Sequence, residues 1–182
     1  SERLSIQVHP NDAEAKARGF PCGKDEAWVI LSAEPHSTIA LGTVRPVDAD
    51  ELRAAALDGS IEHLMHWQPV KAGDIIYSAA NTVHAIGAGI TVVEVQQNLD
   101  LTYRLYDYGR PRELHLDDGV AVSRAEPFVE PPKDRWKFDM IRRPVDGAVT
   151  VSAAGNAPIW CVPLAGDGVI DGAAFKAGEC WL

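Results

Sequence analysis

The sequence predicts a mostly β fold, in which short strands form a sandwich or barrel and one helical segment is inserted. Three observations support this class. The segment 4–9 alternates strictly between apolar and polar residues, which is the two-residue period of a strand. Further short apolar runs are separated by turns rich in Gly, Pro, Asn and Asp. Only one clear stretch has the composition of a helix.

The first two strands are predicted near the N-terminus. In segment 4–9 the even-numbered residues are apolar and the odd-numbered ones polar, so the strand has one face of each kind. The second strand runs from Glu26 to Leu31, after a loop at 19–23 that contains Gly and Pro. Lys24 and Trp28 have the same parity as Glu26, and we expect all three on one side of the sheet.

The helical insertion is predicted over about 48–67. Asp48 or Asp50 can cap a helix that stops at Gly59, and the segment 60–67 adds another turn or two. Strands then resume at 73–77, 89–96 and 101–108.

At 182 residues the chain has room for one full domain and part of another. Residues 1–116 are predicted to form the main barrel, and residues 117–135, rich in Pro, Glu and Asp, a connecting segment. Residues 136–182 begin a second β unit that the chain does not finish. Short strands of that unit are predicted at 138–141, 159–162 and 166–170.

Charge and cysteine usage exclude several functional classes. The net charge of −9 disfavours partners such as nucleic acid or an anionic membrane, although a pocket with a few Arg and Lys can still bind a small anion. Three cysteines without a CxxC pair argue against a disulfide framework and a thiolate zinc site, and they fit a cytoplasmic protein. No apolar run is long enough to predict a membrane span. The oligomeric state stays open, with a monomer favoured.

A set of separated polar residues predicts a metal site. Gln7 and His9 lie two apart on the first strand, Glu26 is on the next, and His84 is at the foot of a later hairpin, so all four can meet on one barrel wall. Two imidazole nitrogens with carboxylate and amide oxygens suit Zn²⁺, and Mn²⁺, Fe²⁺ or Co²⁺ can also occupy such a set.

Five sequence blocks in a fixed order resemble those of type I mannose-6-phosphate isomerases. They comprise Gln7-Val8-His9-Pro10-Asn11-Asp12, Gly23-Lys24-Asp25-Glu26-Ala27-Trp28, Thr82-Val83-His84-Ala85-Ile86-Gly87, Glu94-Val95-Gln96-Gln97 and Tyr103-Arg104-Leu105-Tyr106-Asp107-Tyr108-Gly109-Arg110. The resemblance implies a cupin, or jelly-roll, β-barrel followed by part of a second, metal-free cupin-like unit. It also implies that a single metal ion, zinc first, is held by Gln7, His9, Glu26 and His84.

The resemblance further implies a substrate and an activity. Type I isomerases interconvert mannose 6-phosphate and fructose 6-phosphate through an enediol. Lys24, Glu94 and Arg104 match residues that surround the sugar, and we expect Glu94 and Lys24 to transfer protons while the metal or Arg104 holds the oxyanion. Ser5 and Arg110 match positions that contact the phosphate.

One turn departs from the family pattern. Members usually have Pro-Ala-Gly before the histidine, whereas this chain has Ala79-Ala80-Asn81. Because Asn tolerates a positive φ better than other non-glycine residues, we expect the backbone path to survive and His84 to reach the site. The altered turn keeps open a catalytically silent sugar-phosphate-binding cupin, and a different metal-dependent cupin enzyme such as an oxygenase is a further alternative.

Other histidines are expected to have no role in the site. His63 and His66 lie three apart on the predicted second helical turn, where packing against the barrel is the simpler interpretation. His115 follows on an apparent strand, and we expect it at the surface.

Overall fold

A computed structural model describes residues 2–153, 155 and 157–182. It divides the chain into two compact units, one ending at Asp139 and the other spanning Met140–Leu182. The finer division predicted from the sequence, with a connecting segment at 117–135, stays a proposal. None of the described helices is long and apolar enough to cross a membrane.

The first unit consists mainly of two antiparallel sheets, which confirms the mostly β class. Five strands form one sheet in the order β4-β3-β6-β1-β8, and three form the other in the order β5-β2-β7. The strands are β1 (Ile6–Val8), β2 (Glu26–Ala33), β3 (Thr38–Thr43), β4 (Met65–Pro69), β5 (Ile75–Ser78), β6 (His84–Ile86), β7 (Ile90–Gln96) and β8 (Tyr103–Tyr106).

Both faces of the five-stranded sheet are covered, because the alternating side chains of its strands enter two separate cores. On one face, Ile6, Val8 and Leu105 pack with residues of the helices α2 (Ala49–Asp58), α3 (Ile61–Leu64) and α4 (Leu116–Val122). On the other face, Ile39, Leu41 and Ile86 pack against Trp28 and Ile30 of the three-stranded sheet. The polar, odd-numbered residues of β1 and its flanks therefore face the space between the two sheets.

Local signals explain where the main helices begin and end. The side chain of Asp48 accepts a hydrogen bond from the backbone N–H of Glu51 at the start of α2, and Gly59 ends the helix with φ of 84°. A first helix, α1 (Asp12–Ala17), begins with a capping box in which the side chain of Asn11 accepts from the N–H of Glu14 and the Glu14 carboxylate accepts from the N–H of Asn11.

Several predicted boundaries were wrong in detail. The helical insertion ends at Leu64, because Met65–Pro69 forms an edge strand paired with β3, and His66 therefore lies on a strand. β3 and α1 were not predicted. His115 precedes α4 as its N-cap residue rather than lying on a strand. The segment 117–135, whose role as a connection stays a prediction, contains most of α4, which packs on the barrel core, and a single 3₁₀ turn at Lys133–Arg135.

The second unit contains one hairpin among its described residues, β9 (Asp167–Ile170) with β10 (Ala173–Lys176). The predicted strand at 166–170 is present, whereas 138–141 has no strand and 159–162 contributes only an isolated bridge from Cys161 to Trp181. Apolar side chains such as Trp160 and Val169 are largely exposed in this unit. Without a buried face, a short apolar run has little to hold it in a sheet.

Candidate metal centre

Three side chains that can bind a metal converge between the two sheets. His9 Nε2 lies 3.0 Å from Glu26 Oε1, and His84 Nε2 lies 3.4 Å from Glu26 Oε2. One ligand atom from each residue falls within 4.8 Å of the others, and all three residues are almost completely buried. The His–Glu–His group is thus assembled and shielded from bulk water.

The three residues come from opposite walls of the barrel, which corrects the single wall expected from the sequence. His9 directly follows β1, which is paired with the His84 strand, β6, in the five-stranded sheet. Glu26 begins β2 in the facing three-stranded sheet. The site therefore depends on how the two sheets pack, because no strand pairing joins β1 to β2 among the described residues.

Backbone carbonyls orient both imidazole rings. His9 Nδ1 lies 2.9 Å from the carbonyl oxygen of Leu101, and His84 Nδ1 lies 2.8 Å from that of Thr82. A carbonyl oxygen can only accept, so Nδ1 carries the hydrogen in each ring. In its neutral form, each imidazole then has its lone pair on Nε2, which faces Glu26. Such outer hydrogen bonds are typical of histidines that bind metals.

The arrangement of acceptor atoms in the centre suits a bound cation. The lone pairs of two imidazoles and a carboxylate face one another, and His9 Nε2 and Glu26 Oε2 are buried without a hydrogen-bond partner. Buried polar atoms without partners are costly in free energy. A divalent cation would satisfy these acceptors together, since imidazole and carboxylate are common ligands of such ions.

Gln7 is the fourth predicted ligand, and it lies beside this cluster. Its side-chain Nε2 is 3.4 Å from His84 Nε2, while its Oε1 accepts a hydrogen bond of 3.0 Å from the Ser5 hydroxyl. Rotation of the amide by half a turn exchanges its O and N positions, and the Ser5 hydroxyl can accept from the amide as readily as it donates. Gln7 can therefore present an oxygen to an ion without losing its contact with Ser5.

The protonation states of Glu26 and His84 suit metal binding. Burial raises the pKa of Glu26, but contact with His9, the charge that His84 and His9 have when protonated, and the positive charge of Lys24 outweigh it and lower the pKa to about 2. Burial lowers the pKa of His84 to about 4, although the Glu26 carboxylate opposes the shift. Near neutral pH the centre thus offers a carboxylate and a neutral imidazole, the forms that bind metals.

Two further predicted residues border the centre. Lys24 Nζ is buried and lies 3.2 Å from Glu26 Oε1. Glu94 pairs directly with Trp28 across β2 and β7, which places it on the face that looks into the space between the sheets. Glu94 is reached by solvent, and its pKa is raised because nearby protein desolvates it and Glu26 repels its charge.

Arg104 lies opposite Gln7 in the pairing of β1 with β8. Its Nη1 donates to the carbonyl oxygen of Glu113 over 2.8 Å, whereas its Nε is buried without a hydrogen-bond partner. Arg104 is therefore placed on the same sheet face as Gln7, the fourth predicted ligand.

Arg110 has little free hydrogen-bonding capacity. Its guanidinium contacts the buried carboxylate of Asp107 and lies 3.3 Å from Glu2 Oε2. Arg112 binds the same Asp107 carboxylate. The two predicted phosphate contacts thus have different surroundings. The Ser5 hydroxyl is hydrogen-bonded to Gln7 beside the centre, whereas Arg110 is ion-paired with Asp107 and Glu2.

The altered turn before His84 keeps the predicted backbone path. Asn81 has φ of 69°, in the left-handed region that glycine adopts without strain. Its backbone N–H donates to the carbonyl oxygen of His9 over 2.8 Å, which ties the turn directly to the first histidine.

Sequence reasoning did not identify the groups that orient the site. The carbonyls of Leu101 and Thr82 carry no sequence signal, because every residue has a carbonyl. Asp25 was also missed. Its carboxylate accepts from the Tyr77 hydroxyl at 2.5 Å and from the N–H of Ala80 at 3.1 Å, which links the start of β2 to the turn before His84. The available signal was a charged residue, Asp25, directly before the predicted ligand Glu26, with its side chain on the other side of the strand.

The two facing antiparallel sheets define a jelly-roll fold of the cupin type, and the buried His–Glu–His group between them is its candidate metal centre. No protein-family model matches the chain. Individual proteins do. The chain is 41% identical over 125 residues to a mannose-6-phosphate isomerase from Streptococcus mutans, across 65% of this chain and 39% of that protein. It is 41% identical over 126 residues to the mannose-6-phosphate isomerase ManA from Bacillus subtilis, across 65% of this chain and 40% of that protein.

Solved structures agree with these relatives. The crystal structure of mannose 6-phosphate isomerase from Bacillus subtilis matches with a TM-score of 0.64 and 34% identity, over 71% of this chain and 44% of that one. A point mutant of phosphomannose isomerase from Salmonella typhimurium matches at 18% identity with a TM-score of 0.52, over 70% of this chain and 52% of that one, and shows the fold alone.

The chain is a homologue of the mannose-6-phosphate isomerases over about two thirds of its length, which confirms the resemblance seen in its five sequence blocks. The match spans about two fifths of the length of these curated relatives.

Proposed function

We propose that the chain is a metal-dependent aldose–ketose isomerase that interconverts mannose 6-phosphate and fructose 6-phosphate. The observation that carries this proposal is the buried His9–Glu26–His84 group, whose imidazole Nε2 atoms face the carboxylate. The names of the relatives supply the substrate and the reaction. An enediol route is the simplest chemistry for moving a proton between adjacent carbons of an open-chain sugar.

We propose that His9, Glu26 and His84, with the Gln7 amide oxygen, hold one divalent ion, and that this ion is Zn²⁺. Mn²⁺, Fe²⁺ and Co²⁺ are alternatives, because the nitrogen and oxygen donors accept all of them. When bound, a divalent ion supplies positive charge that stabilises negative charge developing on a sugar oxygen.

The remaining residues are proposed to move and hold protons. Isomerisation breaks the C2–H bond of the aldose and forms a C1–H bond in the ketose. Glu94 is our candidate base, because a raised pKa makes its carboxylate a stronger proton acceptor. The Lys24 ammonium, held 3.2 Å from Glu26, can donate to a sugar oxygen, and the unpartnered Nε of Arg104 is a second donor.

Ser5 and Arg110 remain our proposed phosphate contacts, chiefly on the strength of the resemblance. The position of the Ser5 hydroxyl beside Gln7 supports the first. For Arg110, substrate phosphate would have to share the guanidinium with Asp107 and replace Glu2. Arg suits either partner because its planar fork binds carboxylate and phosphate alike.

Deuterium exchange tests the proposed function. The protein is freed of metal with a chelator, reloaded with Zn²⁺, and incubated with mannose 6-phosphate in D₂O, and the sugar is followed by NMR. We expect fructose 6-phosphate to form with deuterium incorporated at the carbon that receives the proton. His84→Ala should abolish metal binding and turnover, whereas His66→Ala, at an exposed histidine, should preserve both.

The outcome separates the alternatives. Binding of sugar phosphate without turnover by the metal-loaded protein refutes the isomerase and indicates a silent binding protein. Oxygen uptake with Fe²⁺ or Mn²⁺ and no isomerisation indicates an oxygenase. We also propose a cytoplasmic location, which the three free cysteines Cys22, Cys161 and Cys180 support. The preference for a monomer stays a prediction.

A further inference from the structure

We propose that Asn81 is a positioning residue of the metal centre, since its left-handed backbone and its side-chain amide together hold the turn that places both histidines. This inference rests on the proposed metal site. It concerns a position at which related turns usually have glycine.

The backbone of Asn81 connects directly to both histidine segments. Its N–H donates to the His9 carbonyl oxygen over 2.8 Å. The next residue, Thr82, supplies the carbonyl that accepts from Nδ1 of His84. A change of φ at Asn81 would therefore move the group that orients one imidazole and break a bond to the residue that carries the other.

The side chain of Asn81 is fully used. Its Nδ2 donates to Glu14 Oε2 over 2.6 Å and to the Val122 carbonyl oxygen over 2.7 Å, while its Oδ1 accepts from Asn11 Nδ2 over 3.0 Å. The residue is 7% exposed, so these bonds form away from bulk water. The amide thus joins the start of α1 and the end of α4 to the turn.

The positive φ of Asn81 and the hydrogen bonds of its side chain have opposite effects on stability. A positive φ is unfavourable for a residue with a Cβ, though less so for Asn than for most residues. The three side-chain bonds offset that cost, and a glycine would adopt the same φ without making any of them. Asn81 therefore adds cross-links that glycine at this position cannot supply.

The decisive variants separate backbone from side chain. Asn81→Gly keeps the positive φ and removes the cross-links. Asn81→Asp keeps the shape but places an anion against the Glu14 carboxylate and the Val122 carbonyl oxygen. Glu14→Gln in the Asn81→Asp background removes the repulsion and should restore part of the loss. His36→Gly is the control, because His36 also has φ of 69° but is exposed in a remote turn.

The first readout is the affinity for Zn²⁺, with the absorption spectrum of the Co²⁺-substituted protein as a report on ligand geometry. We expect Asn81→Gly and Asn81→Asp to weaken Zn²⁺ binding by about 10-fold, the low end of the range for direct partners of metal ligands, because the Asn81 amide holds the turn and does not itself contact an imidazole. The Co²⁺ spectrum should change in both, while His36→Gly should match the parent. Far-UV circular dichroism checks that each variant is folded.

A second readout needs no metal. In the chelator-treated protein, the ¹⁵N chemical shifts of the His84 ring report which nitrogen carries the hydrogen, and we expect Nδ1–H in the parent and a mixture in Asn81→Gly. Parental affinity and an unchanged tautomer in Asn81→Gly would overturn the proposal. If the parent itself binds no metal, the proposed function fails, and the His84 shifts still decide whether Asn81 positions that ring.

Discussion

The hydroxyl of Tyr77 joins the buried carboxylate of Asp25 to the segment 136–138. It donates to Asp25 Oδ2 at 2.5 Å and accepts from the backbone N–H of Lys137 at 3.0 Å. The Trp136 ring stacks on Tyr77 with centroids 4.3 Å apart. Burial and the Asp25 contact both raise the pKa of Tyr77, so the hydroxyl remains a donor throughout the usable pH range.

Tyr77→Phe should destabilise the protein by about 2 kcal/mol, because a hydrogen bond to a charged group contributes about 1.5–3 kcal/mol. The ring and its stacking on Trp136 survive the change. Since Lys137 is exposed, its N–H can bond to water instead, and we assign that lost contact little free energy. Nearly the whole effect therefore comes from the Asp25 carboxylate, which loses one of its donors.

The assay is urea unfolding of the metal-free protein, followed by circular dichroism. With a slope of about 2 kcal/mol per molar urea, the midpoint should fall by about 1 M. Tyr108→Phe is the matched control, because the Tyr108 hydroxyl is buried without a hydrogen-bond partner. Its removal should change the free energy of unfolding by less than about 0.5 kcal/mol.

Two results would refute this reasoning. The first is an equal loss in Tyr77→Phe and Tyr108→Phe, which would mean that the Asp25 contact contributes nothing. The second comes from the double variant Tyr77→Phe with Asp25→Asn. If the two changes add within about 0.5 kcal/mol, the side chains are not coupled.

Three further predictions concern acid stability, a helix end and the core. The Lys137 hydrogen bond and the Gly23 N–H lower the pKa of Asp12 to about 2. The ionised Asp12 carboxylate therefore contributes to the free energy of unfolding above pH 3.8, and this contribution is lost as pH falls toward 2. Asp12→Asn should reduce stability at pH 6 by about 1 kcal/mol or less, since the pair is partly exposed, and the difference from the parent should vanish near pH 2 in acid titrations. Gly59→Ala should cost about 1–2 kcal/mol in urea unfolding, because φ is 84° and the new Cβ would lie 2.8 Å from the Tyr106 hydroxyl; no loss would refute this. Leu105→Ala should lower the free energy of unfolding by about 2–5 kcal/mol, because Leu105 is completely buried, and a loss below 1 kcal/mol would contradict its place in the core.

Patterns that act over a few residues were predicted correctly. The alternation in segment 4–9 placed Gln7 and His9 on one face, and the structure has them on the face between the sheets. The cap at Asp48 and the stop at Gly59 match the ends of α2. Asn11 and Glu14 also have the spacing of a capping box, which is the local signal for the start of α1.

Other local patterns misled because burial overrides them. Met65–Pro69 follows a helical turn and was assigned to it, yet its pairing with β3 makes it an edge strand. The strand β3 is buried on both faces, so it lacks the alternation by which half-buried strands are recognised. The apolar runs at 138–141 and 159–162 form no strands, since neither has a partner strand among the described residues and all of their side chains are exposed or only partly buried.

The sequence by itself determined which residue types the candidate site contains: two histidines, a glutamate and a glutamine, within blocks that match the isomerases. Only the tertiary structure decided that Glu26 faces His9 and His84 from the opposite sheet, and that the carbonyls of Leu101 and Thr82 orient the two imidazoles. The physical reason is one of range. Strand periodicity depends on neighbours two residues apart, whereas sheet packing and hydrogen bonds to distant carbonyls depend on the whole folded chain.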